Sequence, residues 1–294
     1  FIETVNLGST GRPGPIFIEF CLDAQGAPPI IEDEVSEDRK MDTTIQINPK
    51  SIETLLSKLK NAQRPLLLLG GGVSRTTAKL MHKQLAELPI PLMTTWNGAD
   101  RLDSRSTNYF GRPNTWGQRA ANLLLAQADV VVALGTRLGL QQTGFNWQEF
   151  GKHAFVVHVD IDQSELDKGH PKTDLRICAD ANSVLSKILD AEHSLNEEWT
   201  AYARKVSDLL PLSDPANQTG IGFVNTQSFF EQISQLATEK DILIPCSSGG
   251  ANSVAMQMIS QKFGQVIIAN KGLASMGYGL AGAIGASLAH PKRR

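Results

Sequence analysis

Several joints between apolar runs and helical or polar segments hold residues that could do chemistry. In LLLLGGGVSRTTAKL, Gly70, Gly71 and Gly72 stand where an apolar run hands over to a helical pattern. Glycine lets an anion approach the backbone, and a helix start offers free N–H groups, so a phosphate could sit there. The spacing is not GxGxxG, so the dinucleotide fingerprint is missing, and a tight turn without a ligand is an equal reading. ALGTRLG ends a second apolar run at Gly135, with Arg137 beyond it, and VHVDID ends a third in Asp160 and Asp162. In a parallel sheet these ends share the carboxyl edge, where such folds take their ligands. An acidic residue there binds ribose hydroxyls or caps the next helix, and Asp162 before QSEL suits a cap. As a metal pair, Asp160 and Asp162 lack supporting His or further carboxylates.

PCSSGGANS makes a further joint. Ser247 and Ser248 offer hydroxyls, while Gly249, Gly250 and Ala251 leave the backbone open. The loop is an anion cradle or an ordinary Ser/Gly turn. A Ser–His–Asp hydrolase is disfavoured because no GxSxG surrounds these serines. His82 and His158 are expected to be structural, and Met256 and Met258 to pack in a core. The last joint, NKGLASMGYGLAGAIGASLAH, crowds small residues around Met276, among them Gly272, Ala274 and Gly277. Each helical glycine costs roughly 1 kcal/mol against alanine, which close packing or a ligand lying on the backbone can offset.

These joints need elements to hold them. SIETLLSKLKNA has helical spacing with Ser51 as its N-cap; RPLLLL, IPLMTTW, DVVVALGTRL and KHAFVVHVDID read as strands; SRTTAKLMHKQLAEL, QRAANLLLAQA and ANSVLSKILDAEH read as helices. Apolar strands alternating with helices predict a parallel sheet covered on both faces. EEWTAYARKVSDLL and NTQSFFEQISQLATE form a helical connection. A second, incomplete βαβ unit begins at Asp241, with strands in DILIPC and QVIIAN. Ahead of all this, GRPGPIFIEF predicts a turn and a strand over residues 16–20, followed by an acidic, Pro-bearing linker.

The 294 residues allow about two domains. A net charge of −2 gives no bulk attraction to nucleic acid or an anionic membrane. The closing Lys292, Arg293 and Arg294 read as a solvated link. No apolar run reaches membrane-spanning length. The widely spaced Cys21, Cys178 and Cys246 predict no disulfide and a cytoplasmic setting. A chain opening on Phe1 in mid-pattern, without a signal peptide, is expected to be an internal piece of something longer.

GRPGPIFIEF, RPLLLLGGG, ADVVVALGTRLG, VVHVDID and KGLASMGYGLAGAIGASLA occur in the order found in thiamine diphosphate enzymes of the acetolactate synthase type, which the chain resembles along essentially its whole length. The resemblance implies an α/β architecture: a doubly wound parallel-sheet middle domain (Rossmann-like, DHS-like) flanked by partial α/β thiamine diphosphate-binding domains. Residues 1–22 would be the end of the pyrimidine-binding domain, 23–48 a linker, 49–192 the central nucleotide-binding-like domain, 193–240 a helical connection and 241–294 the start of the diphosphate-binding domain. The Ala274 backbone would accept a hydrogen bond from the pyrimidine, Met276 would wedge beneath the bent coenzyme, Gly272 would line the same turn, and Ser248, Gly249, Gly250 and Ala251 would face the diphosphate. Gly71, Gly72, Gly135, Arg137, Asp160 and Asp162 would serve FAD or another adenine nucleotide. Mg²⁺ would be held by a GDG…N signature, and the catalytic Glu by an N-terminal region, neither of which occurs in this chain.

The implied parent is a transferase or lyase that decarboxylates a 2-keto acid, pyruvate in the first instance, and ligates the product to a carbonyl acceptor, working as a homodimer or homotetramer. The isolated segment is expected to be inactive. Gly250 and Ala251 replace a usual Gln–His pair, Ala274 and Ser275 stand where a Gly commonly precedes a Thr–Met pair, and Gln141 replaces a second Arg in the flavin segment. TTWNGADRL and GRPNTWGQRAANLLL are more similar to acetolactate synthase-like proteins of sugar and polysaccharide pathways, for which the acceptor is a keto sugar or another aldehyde. A decarboxylase without ligation, a non-catalytic adenine-nucleotide module and an NAD(P) oxidoreductase are the competing readings.

Overall fold

The computed structural model describes residues 2–8, 10–28, 45–246 and 248–294, which form two compact units, Phe1–Gln46 and Ile47–Arg294. In the first, α1 (Ile2–Leu7) and α2 (Leu22–Gly26) flank a stretch with no ladder. Residues 16–20 therefore form no strand, contrary to the sequence expectation. A strand needs a neighbour for its N–H and C=O groups, and this unit supplies none among its described residues. Most of the linker, residues 29–44, lies outside the described residues, as does Ser247.

The second unit begins with α3 (Pro49–Asn61) and β1 (Pro65–Leu69). The cap of α3 is Asn48, which accepts from the Lys50 amide at 3.0 Å, with Pro49 opening the first turn; Ser51 lies inside the helix. Next come α4 (Arg75–Leu80), α5 (His82–Glu87), β2 (Leu92–Thr94), α6 (Arg119–Gln127), β3 (Val130–Leu134), α7 (Leu140–Thr143) and β4 (Phe155–Asp160). The single helix expected over residues 74–88 is two, parted at Met81, with Ala78 and Leu85 both reaching the core. After β4 come α8 (Gln163–Asp167), β5 (Leu175–Cys178), α9 (Ala181–Leu189), α10 (Glu197–Leu209) and α11 (Thr226–Leu236). The unit closes with β6 (Ile242–Leu243), α12 (Gly249–Met258), β7 (Val266–Ile267) and α13 (Tyr278–Ala289).

Strands β1 to β5 make one parallel sheet in the order β2-β1-β3-β4-β5. Leu67 pairs with Leu92 on one side and Val132 on the other, and Val132 with Val157. Alternate residues feed two cores. Leu67, Leu69, Val132 and Val157 pack on one face with Leu55, Leu85, Val184 and Leu185 of α3, α5 and α9. Leu66, Leu68, Val131 and Val156 pack on the other with Leu124, Trp199 and Ala203 of α6 and α10. Burial on both faces is why these strands read as unbroken apolar runs. The fifth strand, LRIC, escaped the sequence reading: it is short, lies at the sheet edge and exposes Arg176.

Strands β6 and β7 form a separate two-stranded parallel sheet. Its core joins Ala255, Met256, Ile259 and Ile267 to Trp96 and Ala99. Two of the three closing basic residues, Arg293 and Arg294, are anchors rather than a solvated link, while Lys292 is exposed. Arg294 pairs with the buried Asp241 at 2.6 Å, and Arg293 donates to the Gly264 carbonyl at 2.7 Å.

Candidate functional site

The carboxyl edge of the five-stranded sheet gathers Gly70, Gly71, Gly72, Gly135, Arg137, Asp160 and Asp162. The adjacent ends of β1 and β3 are bound together: the Gly70 amide donates to the Leu134 carbonyl and the Gly72 amide to that of Gly135, each at 2.8 Å. A Cβ on Gly72 would lie 2.7 Å from the Gly135 Cα, and a Cβ on Gly70 2.2 Å from the Gly135 oxygen. These glycines are needed because two turns touch backbone to backbone. Asp160 is buried and accepts from the Asp162 amide at 3.0 Å. Asp162 caps α8 through the Ser164 amide at 2.9 Å, as its position before QSEL led one to expect. Arg137 is paired with Glu165 at 3.0 Å. His158, buried beside this edge, donates from Nε2 to the Thr136 carbonyl at 2.8 Å, and burial pushes its pKa below the usual histidine value.

The second sheet presents a different edge. The Ile268 amide donates to the Leu243 carbonyl at 3.0 Å, so the loops leaving β6 and β7 start side by side. The first carries Ser248, Gly249, Gly250 and Ala251 into α12. Ser248 occupies the N-cap position without a side-chain cap bond, and a Cβ at Gly249 or Gly250 would meet no atom within 4 Å. The fully buried Asn252, which the sequence reading did not single out, faces the carbonyls of Pro245 and Cys246 with its amide nitrogen, at 2.9 and 3.2 Å. The second loop carries Gly272, Ala274 and Met276 into α13. Ala274 has φ +53° and Gly277 φ +89°. A left-handed alanine costs about 1–2 kcal/mol. Met276 is 91% exposed, and α13 buries none of its residues.

Side chains of the central part hold this second sheet in place. Asp100 accepts from the Ile267 amide at 2.8 Å, and Arg75 donates to the Ile267 carbonyl at 2.8 Å. Arg112, fully buried, donates from Nε to the Met256 carbonyl at 2.8 Å and also reaches that of Ile259. Such donors suit the carbonyl end of a helix.

Two family models match. The thiamine pyrophosphate enzyme central domain covers residues 52–188, and the thiamine pyrophosphate enzyme C-terminal TPP-binding domain covers 247–294, together more than half of the chain. The chain belongs to the thiamine pyrophosphate enzyme family. Among curated proteins it is similar to the "Probable acetolactate synthase large subunit" of Methanocaldococcus jannaschii, at 28% identity over 99% of this chain and 51% of that protein. It is also similar to the acetolactate synthase large subunit of Lactococcus lactis, at 27% over 99% and 50%, and to the acetolactate synthase of Arthrospira platensis, at 29% over 99% and 51%. The chain spans about half the length of the curated relatives it matches.

For a thiamine pyrophosphate enzyme the open edge fits its coenzyme. An uncapped ten-residue helix start and side-chain-free glycines suit a diphosphate, and an exposed apolar Met276 on an open turn leaves room for a ring. Magnesium is another matter. Among the described residues no three His, Cys, Asp or Glu side chains come together to hold a metal. Gly72 and Gly135 touch backbone to backbone, while Gly71 and Gly72 remain exposed. No helix of the described residues is long and apolar enough to cross a membrane.

Proposed function

We propose that this chain forms the central and diphosphate-facing parts of an enzyme that decarboxylates a 2-keto acid, pyruvate in the first instance, and ligates the product to a second carbonyl compound. The observation that carries this reading is the pair of open loops after β6 and β7, whose residues 248–251 and 270–277 fall in the stretch matched by the TPP-binding model. The backbone amides that open α12, with Ser248, Gly249, Gly250 and Ala251, would hold the diphosphate. The Ala274 carbonyl would accept from the pyrimidine amino group, with Gly272 keeping the turn free of side chains. Met276, which cannot compete for a proton, would support the ring by shape. When bound, thiamine diphosphate supplies the electron sink for loss of CO₂. The curated relatives' names support acetolactate synthase-type ligation over decarboxylation alone.

The test is calorimetric binding of thiamine diphosphate with Mg²⁺ to the gene product carrying this sequence, followed by CO₂ release and carboligation from pyruvate with and without added aldehydes. The reading predicts binding and a ligation rate well above blank. Binding without ligation would leave a decarboxylase, and no binding would sink the proposal. The 294 residues expressed alone should show no ligation above blank.

A further inference from the structure

Lys271 opens the turn that carries Ala274 and Met276, and its surroundings are unusual for a lysine in a loop. Its Nζ lies 5.0 Å from the centroid of Trp96 and 4.6 Å from that of Trp116, so two indoles face one ammonium within cation–π range. No carboxylate lies within ion-pair distance of it among the described residues, and burial lowers its pKa. Both rings belong to the central part of the molecule. Trp96 is buried against Met256 and Ile267 in the shared core. Trp116 is tied to α12, because Gln257 donates from Nε2 to the Trp116 carbonyl at 2.6 Å, and its ring meets Phe145 edge-on at 6.5 Å. The same short segment that braces α12 thus grips the start of the turn after β7. Beyond Lys271 the turn has little else to hold it: Leu273 and Met276 are exposed, and Ala274 returns one bond, from its amide to the Asn270 carbonyl at 2.9 Å.

We propose that Lys271 is a positioning residue whose ammonium, held between the Trp96 and Trp116 rings, clasps the turn of residues 270–277 to the central part of the molecule and so sets where Ala274 and Met276 stand. The link to the coenzyme rests on the reading of that turn given above; the clasp itself does not. Without it, a turn containing a left-handed alanine and two glycines would sample other conformations, and a ligand would have to order it on binding.

The experiment combines amide hydrogen exchange and calorimetry on the gene product carrying this sequence. Lys271→Met and, independently, Trp116→Leu should each speed exchange of the amides of residues 272–277 about tenfold, and Lys271→Arg should stay within about twofold of wild type. Trp116 is 40% exposed, so its replacement leaves no core cavity. The Kd for thiamine diphosphate should weaken about fivefold in Lys271→Met and be restored in Lys271→Arg. Unchanged exchange in both Lys271→Met and Trp116→Leu overturns the clasp. Faster exchange with unchanged Kd overturns its role in positioning. A wild-type protein that does not bind thiamine diphosphate sinks the functional reading, while exchange still decides the clasp.

Discussion

The two parallel sheets of the larger unit end in similar-looking glycine loops with opposite surroundings. At the five-stranded sheet, Gly70, Gly72 and Gly135 are small because backbone presses on backbone. At the two-stranded sheet, Gly249 and Gly250 face open space. The first edge has spent its polar groups: Asp160 on the Asp162 amide, Asp162 on a cap, Arg137 on Glu165 and His158 on a carbonyl. The second edge keeps an uncapped helix start and an exposed apolar turn. A glycine run at a strand–helix joint is therefore a sign of crowding as readily as of a ligand, and only the neighbouring backbone distinguishes the two.

Substitutions should separate the edges. Gly135→Ala is expected to cost about 3 kcal/mol, since its Cβ would lie 2.6 Å from the Gly72 Cα and its φ is +61°. The midpoint of urea unfolding measures this, and a loss under 1 kcal/mol would mean the crowded edge can relax. Arg112→Met should cost about 2 kcal/mol by leaving the Met256 and Ile259 carbonyls without their buried donor. Exchange protection at the end of α12 should fall with it.

Acid should act on the two regions at different pH. His158 has a folded-state pKa below 6.5, so it favours the unfolded chain once protonated, and stability of the crowded edge should decline as pH drops below about 6.5. Asp103 braces the segment before β7 by accepting from the Phe263 amide at 2.9 Å. Burial works against its carboxylate, but hydrogen bonds from Arg105 and Phe263 outweigh that and hold its pKa at about 2, below the ordinary 3.8. Its contribution is complete above pH 3.8 and lost as pH falls through 2. Asp103→Asn should remove that slope, by less than about 1 kcal/mol given solvent screening, in unfolding curves recorded across this range. The smallest effect on stability is expected at Gly250→Ala, from nothing to a gain of about 1 kcal/mol, because it lies in a helix with room for a methyl group. Thermal unfolding tests this, and a clear loss would show that the open edge is closed after all.

Much of the fold was legible in local pattern. The strands β1, β3 and β4 announce themselves as apolar runs because both faces are buried, and Asp162 announces its cap by standing before a helical pattern. The edge strand β5 and the split of α4 from α5 were not legible. An edge strand buries too little to leave an apolar run, and both short helices supply the same core. The strand expected over residues 16–20 erred the other way: apolar residues favour a strand but cannot supply its partner.

The sequence by itself determined the parallel α/β architecture, the family, and which short stretches stand at strand ends, because periodicity and order along the chain carry that information. Tertiary structure decided which glycine loop is closed and which is open, that Arg293 and Arg294 are anchors, and that Lys271 lies between Trp96 and Trp116. Those facts depend on groups far apart in sequence meeting in space, and nothing local in the chain records the meeting.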